Sequence, residues 1–330
     1  EVMSRPWMKR PRKEKEWLEH IRSVFPAPPP PEGMGDDCAV LKRENLCLTT
    51  DALVEHVDFE RDWAPPEAVG WKALAVNLSD LAAMGAEPAF FLLTLAIPRD
   101  CPDKWIEGFL SGAAALARKE KAKLLGGDLS RSPGGIFISV TAGGRQAGKP
   151  LLRGKAGPGD LIYVSSPLGA AGEALKMLRK GAKLKNFLLH GRIKTPNLLD
   201  RFFRPPSQTA LGASLAQKKL ASSAIDISDG LLLDLSRLLE GSGNGAVLTE
   251  DSIPRAADAS GKQVSLKAAM TSGEEQVLLF TVPKSRERLL RKAGKGLFRI
   301  GFVTPKPGMW MQGCGKVSML DPEGFDHFAH

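Results

Sequence analysis

The chain has 330 residues, of which 43% are hydrophobic and 25% are charged, a composition typical of a folded protein large enough for two domains. No apolar run approaches the roughly 20 residues that a membrane-spanning helix needs, so we expect no membrane partner. The formal net charge of +9 favours anionic ligands. Since the chain has one tyrosine and its basic clusters are not interleaved with aromatic residues, we expect small phosphorylated ligands and no nucleic acid. Four scattered cysteines without metal-binding spacing predict reduced thiols in a cytoplasmic protein.

Hydrophobic periodicity predicts alternating helices and strands in the first half of the chain. A basic N-terminal extension, residues 1–32, contains an amphipathic helix that prolines terminate. The predicted elements, in chain order, are a helix over 14–25, strands over 38–41 and 46–50, a helix over 66–84, a strand over 89–97, a helix over 103–121, and strands over 123–125 and 136–142.

The second half shows the same alternation after a stretch rich in glycine and lysine, residues 143–159. Such a composition is typical of a domain boundary, and we predict domains over 33–148 and 149–330. The fold class is therefore α/β (α+β) with two domains. The predicted elements are a strand over 160–166, helices over 172–179 and 208–218, a strand over 224–227, a helix over 230–239, and strands over 276–282 and 298–303.

Aspartates recur among apolar residues at the ends of predicted strands and inside one predicted helix. An ionised carboxylate in such surroundings is costly unless it is paired or coordinates a metal, and most of these acids have no basic residue nearby in sequence. Hard oxygen ligands from several distant segments are typical of magnesium sites. The acids are Asp36, Asp37, Asp51, Asp80, Asp128, Asp226 and Asp229.

Each of these motifs also has a structural explanation when it is taken alone. Ser228 or Asp229 can cap the following helix, and Gly126-Gly-Asp128 can form a plain turn. Paired glycines also let a backbone approach a phosphate closely. Asp80 can lie on a solvated helix face, although its neighbours are apolar. Asp226 ends an apolar strand directly before a helix, a position where α/β proteins place ligands.

Taken together and in this order, the motifs resemble the thiamine-monophosphate kinase family. That family belongs to the ATP-binding superfamily that includes aminoimidazole ribonucleotide synthetase. The resemblance spans about residues 33–328, and its most specific segment is the Asn-Leu-Ser-Asp sequence within residues 72–88. The other matching segments are 35–41, 49–55, 126–128, 153–160, 226–231 and 324–328.

The resemblance implies an enzyme that moves the γ-phosphoryl group of ATP onto thiamine monophosphate, giving thiamine diphosphate and ADP. It implies that residues 33–148 bind ATP and several Mg²⁺ ions and form a homodimer by pairing sheets. Phosphoryl transfer between two anions needs charge neutralisation and positioning more than a protein nucleophile. By position, the metal ligands are Asp37, Thr49, Thr50, Asp51, Asp80, Asp128, Asp226 and Asp229, with Asp80, Asp226 and Asp229 as the catalytic acids. The nucleotide contacts are Gly127, Asp128, Arg153 and Ser228, and the positions at the thiamine end are Asp58, Glu274 and Phe325, whose ring could stack on the cationic thiazolium.

Two departures from the family pattern fall on the acceptor side. Asp58 stands where the family usually has a histidine, in the stretch Glu-His-Val-Asp-Phe over 55–59. The usual Gly-Gly-Glu-Asp-Tyr-Glu-Leu reads Ser-Gly-Glu-Glu-Gln-Val-Leu over 272–278, so Glu274 is kept while the next acid is longer. These changes leave two alternatives: a relative that uses the same ATP site on another acceptor, and a nucleotide-binding paralogue without turnover.

Overall fold

A computed structural model gives the fold, and it describes residues 14–24, 32, 35–183, 188–189, 192–193, 198–293 and 296–325. The first sheet has five strands, of which only β3 and β4 pair in parallel. Its spatial order is β1 (Ala39–Leu41), β2 (Leu46–Val54), β5 (Phe137–Gln146), β3 (Ala86–Ile97) and β4 (Lys123–Arg131). The helices of this half are α1 (Glu14–Val24), α2 (Pro66–Ala83) and α3 (Asp103–Glu120).

The second sheet has seven strands and is mostly antiparallel, with β10 and β13 as its parallel pair. Its spatial order is β14 (Lys316–Leu320), β13 (Gly308–Gly313), β10 (Gly245–Thr249), β12 (Phe298–Thr304), β6 (Leu161–Val164), β11 (Leu278–Val282) and β9 (Ser223–Asp226). The helices are α4 (Ala170–Arg179), α5 (Leu198–Phe203), α6 (Thr209–Gln217), α7 (Leu231–Leu239), α8 (Leu266–Thr271) and α9 (Glu287–Ala293), and a small separate ladder joins β7 (Leu188–Leu189) to β8 (Arg192–Ile193).

Helix α2 lies between the two halves of the molecule. Fourteen of its 18 residues are buried, because it contacts α3, β2 and β5 on one side and α6 and β9 on the other. A helix that is apolar on all sides is typical of such an interior position. The helix begins at Pro66, where a missing backbone N–H costs nothing, and it carries Asp80 in its last turn.

Glycines let two helices approach α2 at backbone contact. A Cβ atom on Gly112 of α3 would lie 1.8 Å from the Glu67 carbonyl oxygen, and one on Gly212 of α6 would lie 2.0 Å from the Ala82 carbonyl oxygen. Both distances are far below van der Waals contact, so a side chain at either position would push the helices apart. The position of Asp80 therefore depends on close packing from both sides.

The predicted elements agree with the structure in type, and several differ in extent. Strand β2 continues to Val54 and β4 continues to Arg131, beyond the predicted ends. Residues 143–146, which the composition placed in the boundary stretch, belong to β5. Residue 25, the predicted end of the first helix, lies outside the described residues. The domain limits at 148/149 stay a prediction. Within the part of the chain that the structure describes, no helix has the length and apolar character needed to cross a bilayer.

Candidate functional site

Three of the predicted acids meet where the two halves of the molecule join. Asp37 precedes β1, Asp80 lies in the last turn of α2, and Asp226 ends β9. One carboxylate oxygen of each lies within 4.8 Å of one oxygen of the other two. Residues at least 43 positions apart in the chain thus present their carboxylates to one point, as a metal site requires.

Hydroxyl groups orient two of these carboxylates. Thr49 Oγ1 donates a hydrogen bond to Asp80 Oδ2 at 2.5 Å, and Ser79 Oγ donates one to Asp226 Oδ2 at 2.7 Å. Since side chains alternate along a strand, Thr49 and Asp51 of β2 face α2, whereas Thr50 faces away. The Thr50 hydroxyl donates to the Val140 carbonyl oxygen at 3.1 Å and accepts from Thr141 at 3.1 Å.

Burial and mutual repulsion make the ionised cluster costly. Burial raises the pKa of Asp80 and of Asp226 well above the usual range, and the neighbouring carboxylates add to both shifts. The pKa of Asp51, beside the cluster, rises to about 6, chiefly through burial. Asp37 Oδ2 is buried and has no hydrogen-bond partner among the described residues. Bound cations would offset the repulsion within a cluster of this kind.

Arg153 supplies one fixed positive charge at the edge of the cluster. Its guanidinium forms an ion pair with Asp37, and its backbone N–H donates to Asp36 Oδ1 at 2.7 Å. The side chain remains 24% exposed, so part of it is accessible to a ligand. Guanidinium groups are well suited to phosphate oxygens because of their planar donor geometry.

The turn between β9 and α7 is organised by Asp234, a buried acid in the first turn of α7. Asp234 Oδ2 accepts backbone N–H bonds from Ser228, Asp229 and Gly230 at 3.0–3.1 Å. Arg237 forms ion pairs with Asp229 and, at 3.0 Å, with Asp234. In this structure Asp229 is therefore paired with Arg237, outside the group of three acids.

A second loop, residues 272–276, lies against this turn. The Glu274 N–H donates to the Ser228 carbonyl oxygen at 2.6 Å, and the Gln276 N–H donates to the Ile227 carbonyl oxygen at 2.9 Å. Glu274 and Gln276 have φ angles of 66° and 51°, in the left-handed region that is strained for non-glycine residues. The side chain of Glu274 is 34% exposed and forms an ion pair with Lys72 at 2.9 Å.

The remaining acceptor-side positions flank these loops. Phe325 lies near the turn because its backbone N–H donates to the Asp229 carbonyl oxygen at 3.0 Å, and its side chain is exposed. Asp58 Oδ2 accepts from the Val54 N–H at 2.7 Å, which closes the turn after β2. The charges of Asp58 and Glu274 both contribute to the raised pKa of Asp51, so both acids lie in the field of the same site.

Comparisons with known proteins agree with this geometry. The N-terminal and C-terminal domain models of AIR synthase related proteins match residues 35–146 and 157–312. A thiamine-monophosphate kinase of Salmonella typhimurium is 35% identical over 90% of this chain and 92% of its own length. The chain belongs to the thiamine-monophosphate kinase family, within the AIR synthase related proteins. The homologue of Escherichia coli K12 is 36% identical over the same shares, and the structure of AaThiL complexed with AMPPCP and TMP superposes with a TM-score of 0.81 at 30% identity, covering 96% of this chain and 97% of the other.

Two positions of the family pattern lie apart from the acids in this chain. Asp128 and Gly127 are on β4, the edge strand of the first sheet, and two strands separate β4 from β2. Neighbouring strands lie about 4.8 Å apart, so β4, which carries Asp128, lies on the order of 14 Å across the sheet from β2, which carries Asp51. A Cβ atom on Gly127 would lie 1.8 Å from the Leu93 carbonyl oxygen, so this glycine also has a packing role against β3.

Several residues of the kinase-family site were not selected from the sequence. Ser79 and Asp234 stand beside selected acids in the motifs, and the first-turn position of Asp234 was the available signal, because acids there accept the free N–H groups of a helix start. Arg237 stands three residues after Asp234 on α7, a spacing at which opposite charges pair on a helix. Lys72 gave no local signal, since its partner Glu274 lies in a distant loop that only the fold brings close.

Proposed function

We propose that this protein transfers the γ-phosphoryl group of ATP to thiamine monophosphate and releases thiamine diphosphate and ADP. The observation that carries this proposal is the convergence of Asp37, Asp80 and Asp226 from three distant segments. The names of the homologues and the ATP analogue bound with TMP in the AaThiL structure support the same reaction. Because both substrates are anionic, their approach depends on charge neutralisation.

Magnesium ions fit the donor set of the acidic cluster. The carboxylates are buried and mutually repelling, and a buried oxygen of Asp37 has no partner among the described residues. These are hard oxygen ligands, as Mg²⁺ prefers. We assign Asp37, Asp51, Asp80 and Asp226 to the metals, with Thr49 and Ser79 orienting the carboxylates. When bound, Mg²⁺ neutralises the phosphate oxygens and draws the two substrates together.

The other members of the proposed site surround this cluster. Arg153 is placed to bind ATP phosphate oxygens with the face of the guanidinium that Asp37 leaves free. Ser228 and Asp229 lie in the turn beside Asp226, where we propose contacts to the nucleotide and to a metal ion. The hydroxyl of Thr50 donates a hydrogen bond to the Val140 carbonyl oxygen of β5. As a metal ligand, Thr50 would therefore act through its backbone or through a rotated hydroxyl.

The acceptor is proposed to bind between the 272–276 loop, Asp58 and Phe325. Glu274 and the exposed ring of Phe325 suit the cationic thiazolium of thiamine monophosphate, through charge attraction and ring stacking. Asp58 adds a negative charge on the same side, and this charge contributes to the raised pKa of Asp51. A bound Mg²⁺ would offset the repulsion between these acids and an incoming phosphate.

A homodimer accounts for the placement of Asp128. Strand β4 is an exposed edge, and its Leu124, Leu125 and Leu129 are 56%, 63% and 74% exposed. Uncovered apolar edge strands are sites of pairing between chains. We propose that β4 pairs with the sheet of a second copy and that the dimer brings Asp128 and Gly127 to the site of that copy.

Product formation tests the proposed reaction. The protein is incubated with ATP, Mg²⁺ and thiamine monophosphate, and thiamine diphosphate is quantified by chromatography. We expect thiamine diphosphate and ADP in equal amounts, and none when EDTA is present. Turnover only with a different phosphate or carboxylate acceptor would replace the proposed substrate, and tight ATP binding without any turnover would contradict the enzymatic assignment.

A further inference from the structure

A buried lysine contacts the acceptor-side loop from the other half of the molecule. The Lys72 side chain, near the start of α2, is 1% exposed. Its Nζ lies 2.9 Å from Glu274 Oε2 and 3.5 Å from the ring centroid of Phe202, on α5. Phe202 packs edge-on against Phe203, with ring centroids 4.9 Å apart, so the face beneath the ammonium is held in place.

The surroundings of Lys72 are unusual for a lysine that serves only stability. A buried ammonium is costly, and exchanging such a group for an apolar residue is often neutral or stabilising. The pair is asymmetric, because Lys72 is enclosed while the side chain of Glu274 is 34% exposed. Among the described residues, Lys72 Nζ has no hydrogen-bond acceptor in a favourable direction, and its contact with Glu274 is an ion pair. The ammonium therefore acts on Glu274 mainly through its charge.

Glu274 needs such a partner because its backbone is strained. Its φ of 66° lies in the left-handed region, so contacts must hold the loop in this conformation. The Ser228 carbonyl oxygen holds the backbone of Glu274, and Lys72 holds its side chain.

We propose that Lys72 is a positioning residue for the acceptor: from α2 it fixes Glu274 in the orientation that receives the cationic end of thiamine monophosphate. This inference rests on the proposed function and assigns a specificity role to a residue for which the family pattern gave none. Because Lys72 and Ser79 are seven residues apart, they share one face of α2, about 10 Å apart along its axis. One rigid helix thereby sets the spacing between the acceptor-side acid and the Asp226 carboxylate.

A double-mutant cycle tests this role. Lys72→Met removes the charge at similar length, Glu274→Gln removes the partner charge, and the double variant removes both. Lys119→Met, an exposed lysine of α3, is the matched control. For Lys72→Met we expect KM for thiamine monophosphate to rise about tenfold, with KM for ATP and kcat changed less than about twofold. The double variant should bind thiamine monophosphate no worse than Glu274→Gln alone, since Lys72 acts through Glu274.

Other results would overturn the role of Lys72. They are an unchanged KM for thiamine monophosphate in Lys72→Met, an equal loss for both substrates, or losses that multiply in the double variant. If Lys72→Met does not fold, the double variant, which leaves no unpaired buried charge, is compared with Glu274→Gln in its place. An assay of the wild type separates the role of Lys72 from the proposed function. If the unmodified protein forms no thiamine diphosphate, the proposed function itself is contradicted.

Discussion

At the scale of single residues, the site is a balance between electrostatic cost and function. Asp80 and Asp226 are buried carboxylic acids. Their pKa values are raised chiefly because burial removes the water that would stabilise the ionised form. Groups of this kind destabilise the folded protein at neutral pH, because the unfolded chain ionises them freely. The cost is expected wherever a protein assembles a cation site before the cation binds.

Neutralising one acid should separate activity from stability. Asp80→Asn keeps the acceptor for the Thr49 hydroxyl and removes one repelling charge. We expect turnover to fall at least about a hundredfold, while the melting temperature of the metal-free protein rises. Asp226→Asn should behave in the same way. Asp251→Asn, an exposed acid of the second half, is the control and should change neither quantity. Full activity in both site variants would refute the metal assignment.

Glu275 gives a pH dependence that does not involve the acidic cluster. Its Oε1 accepts the N–H groups of Gly169 and Ala171 at 2.9 and 3.0 Å, at the start of α4, and its Oε2 is buried without a partner among the described residues. Burial raises the pKa of this carboxyl from 4.5 to about 7. Glu275, which replaces the shorter acid of the family pattern in residues 272–278, therefore has a structural role. The sequence did not indicate this role.

The sign of the effect follows from proton linkage. Between pH 4.5 and about 7 the folded state holds the Glu275 proton more tightly than the unfolded state, so stability falls as pH rises through this window. Glu275→Gln removes that dependence and keeps one acceptor. In urea unfolding we expect the variant to gain, relative to wild type, on the order of 2 kcal/mol between pH 5 and pH 8. An identical difference at both pH values would contradict the raised pKa.

At the scale of elements, the packing of α2 determines where its functional residues lie. The Asn-Leu-Ser-Asp sequence and the opening prolines made this helix predictable, and the alternating strands were predictable in type. The close approach of α3 through Gly112 was not, because it depends on a partner helix some 40 residues away in sequence. Lys72 was missed for the same reason: its contacts with Glu274 and Phe202 arise from tertiary structure, which local patterns do not encode.

Adding one methyl group at the α2–α3 contact should loosen the site. Gly112→Ala places a Cβ atom 1.8 Å from the Glu67 carbonyl oxygen, so the two helices must shift apart to accept it. We expect a loss of about 1–3 kcal/mol in the free energy of unfolding, measured with urea. Gly134→Ala, whose Cβ atom would meet nothing within 4 Å, is the matched control and should stay near wild type. Equal stability of the two variants would show that the helices can separate without cost.

At the scale of the whole molecule, two sheets and the helix between them form one site from distant parts of the chain. The sequence motifs indicated which acids take part, and the structure brings together Asp37, Asp80 and Asp226. Asp128 remains at the edge strand, and a single chain does not bring it to the cluster. The proposed dimer would bring Asp128 to the acidic cluster of the second copy and so complete the site that the motifs indicate.

A charge on the edge strand should disrupt this assembly. Leu129→Lys places an ammonium on β4 at a position that is 74% exposed in the single chain. We expect light scattering after size exclusion to give twice the chain mass for wild type and the chain mass for the variant, with activity lost in parallel. A monomeric wild type with full activity would contradict the dimer. Phe302→Lys, at an exposed position of the second sheet, should leave the mass unchanged.

The most direct test of the metal assignment is a crystal structure of the protein with AMPPCP and Mn²⁺, using the anomalous signal of manganese to locate the ions. We expect manganese at about 2.0–2.6 Å from carboxylate oxygens of Asp37, Asp80 and Asp226, with phosphate oxygens of the nucleotide on the same ions. A nucleotide bound elsewhere, with these three carboxylates free of metal, would contradict the assignment.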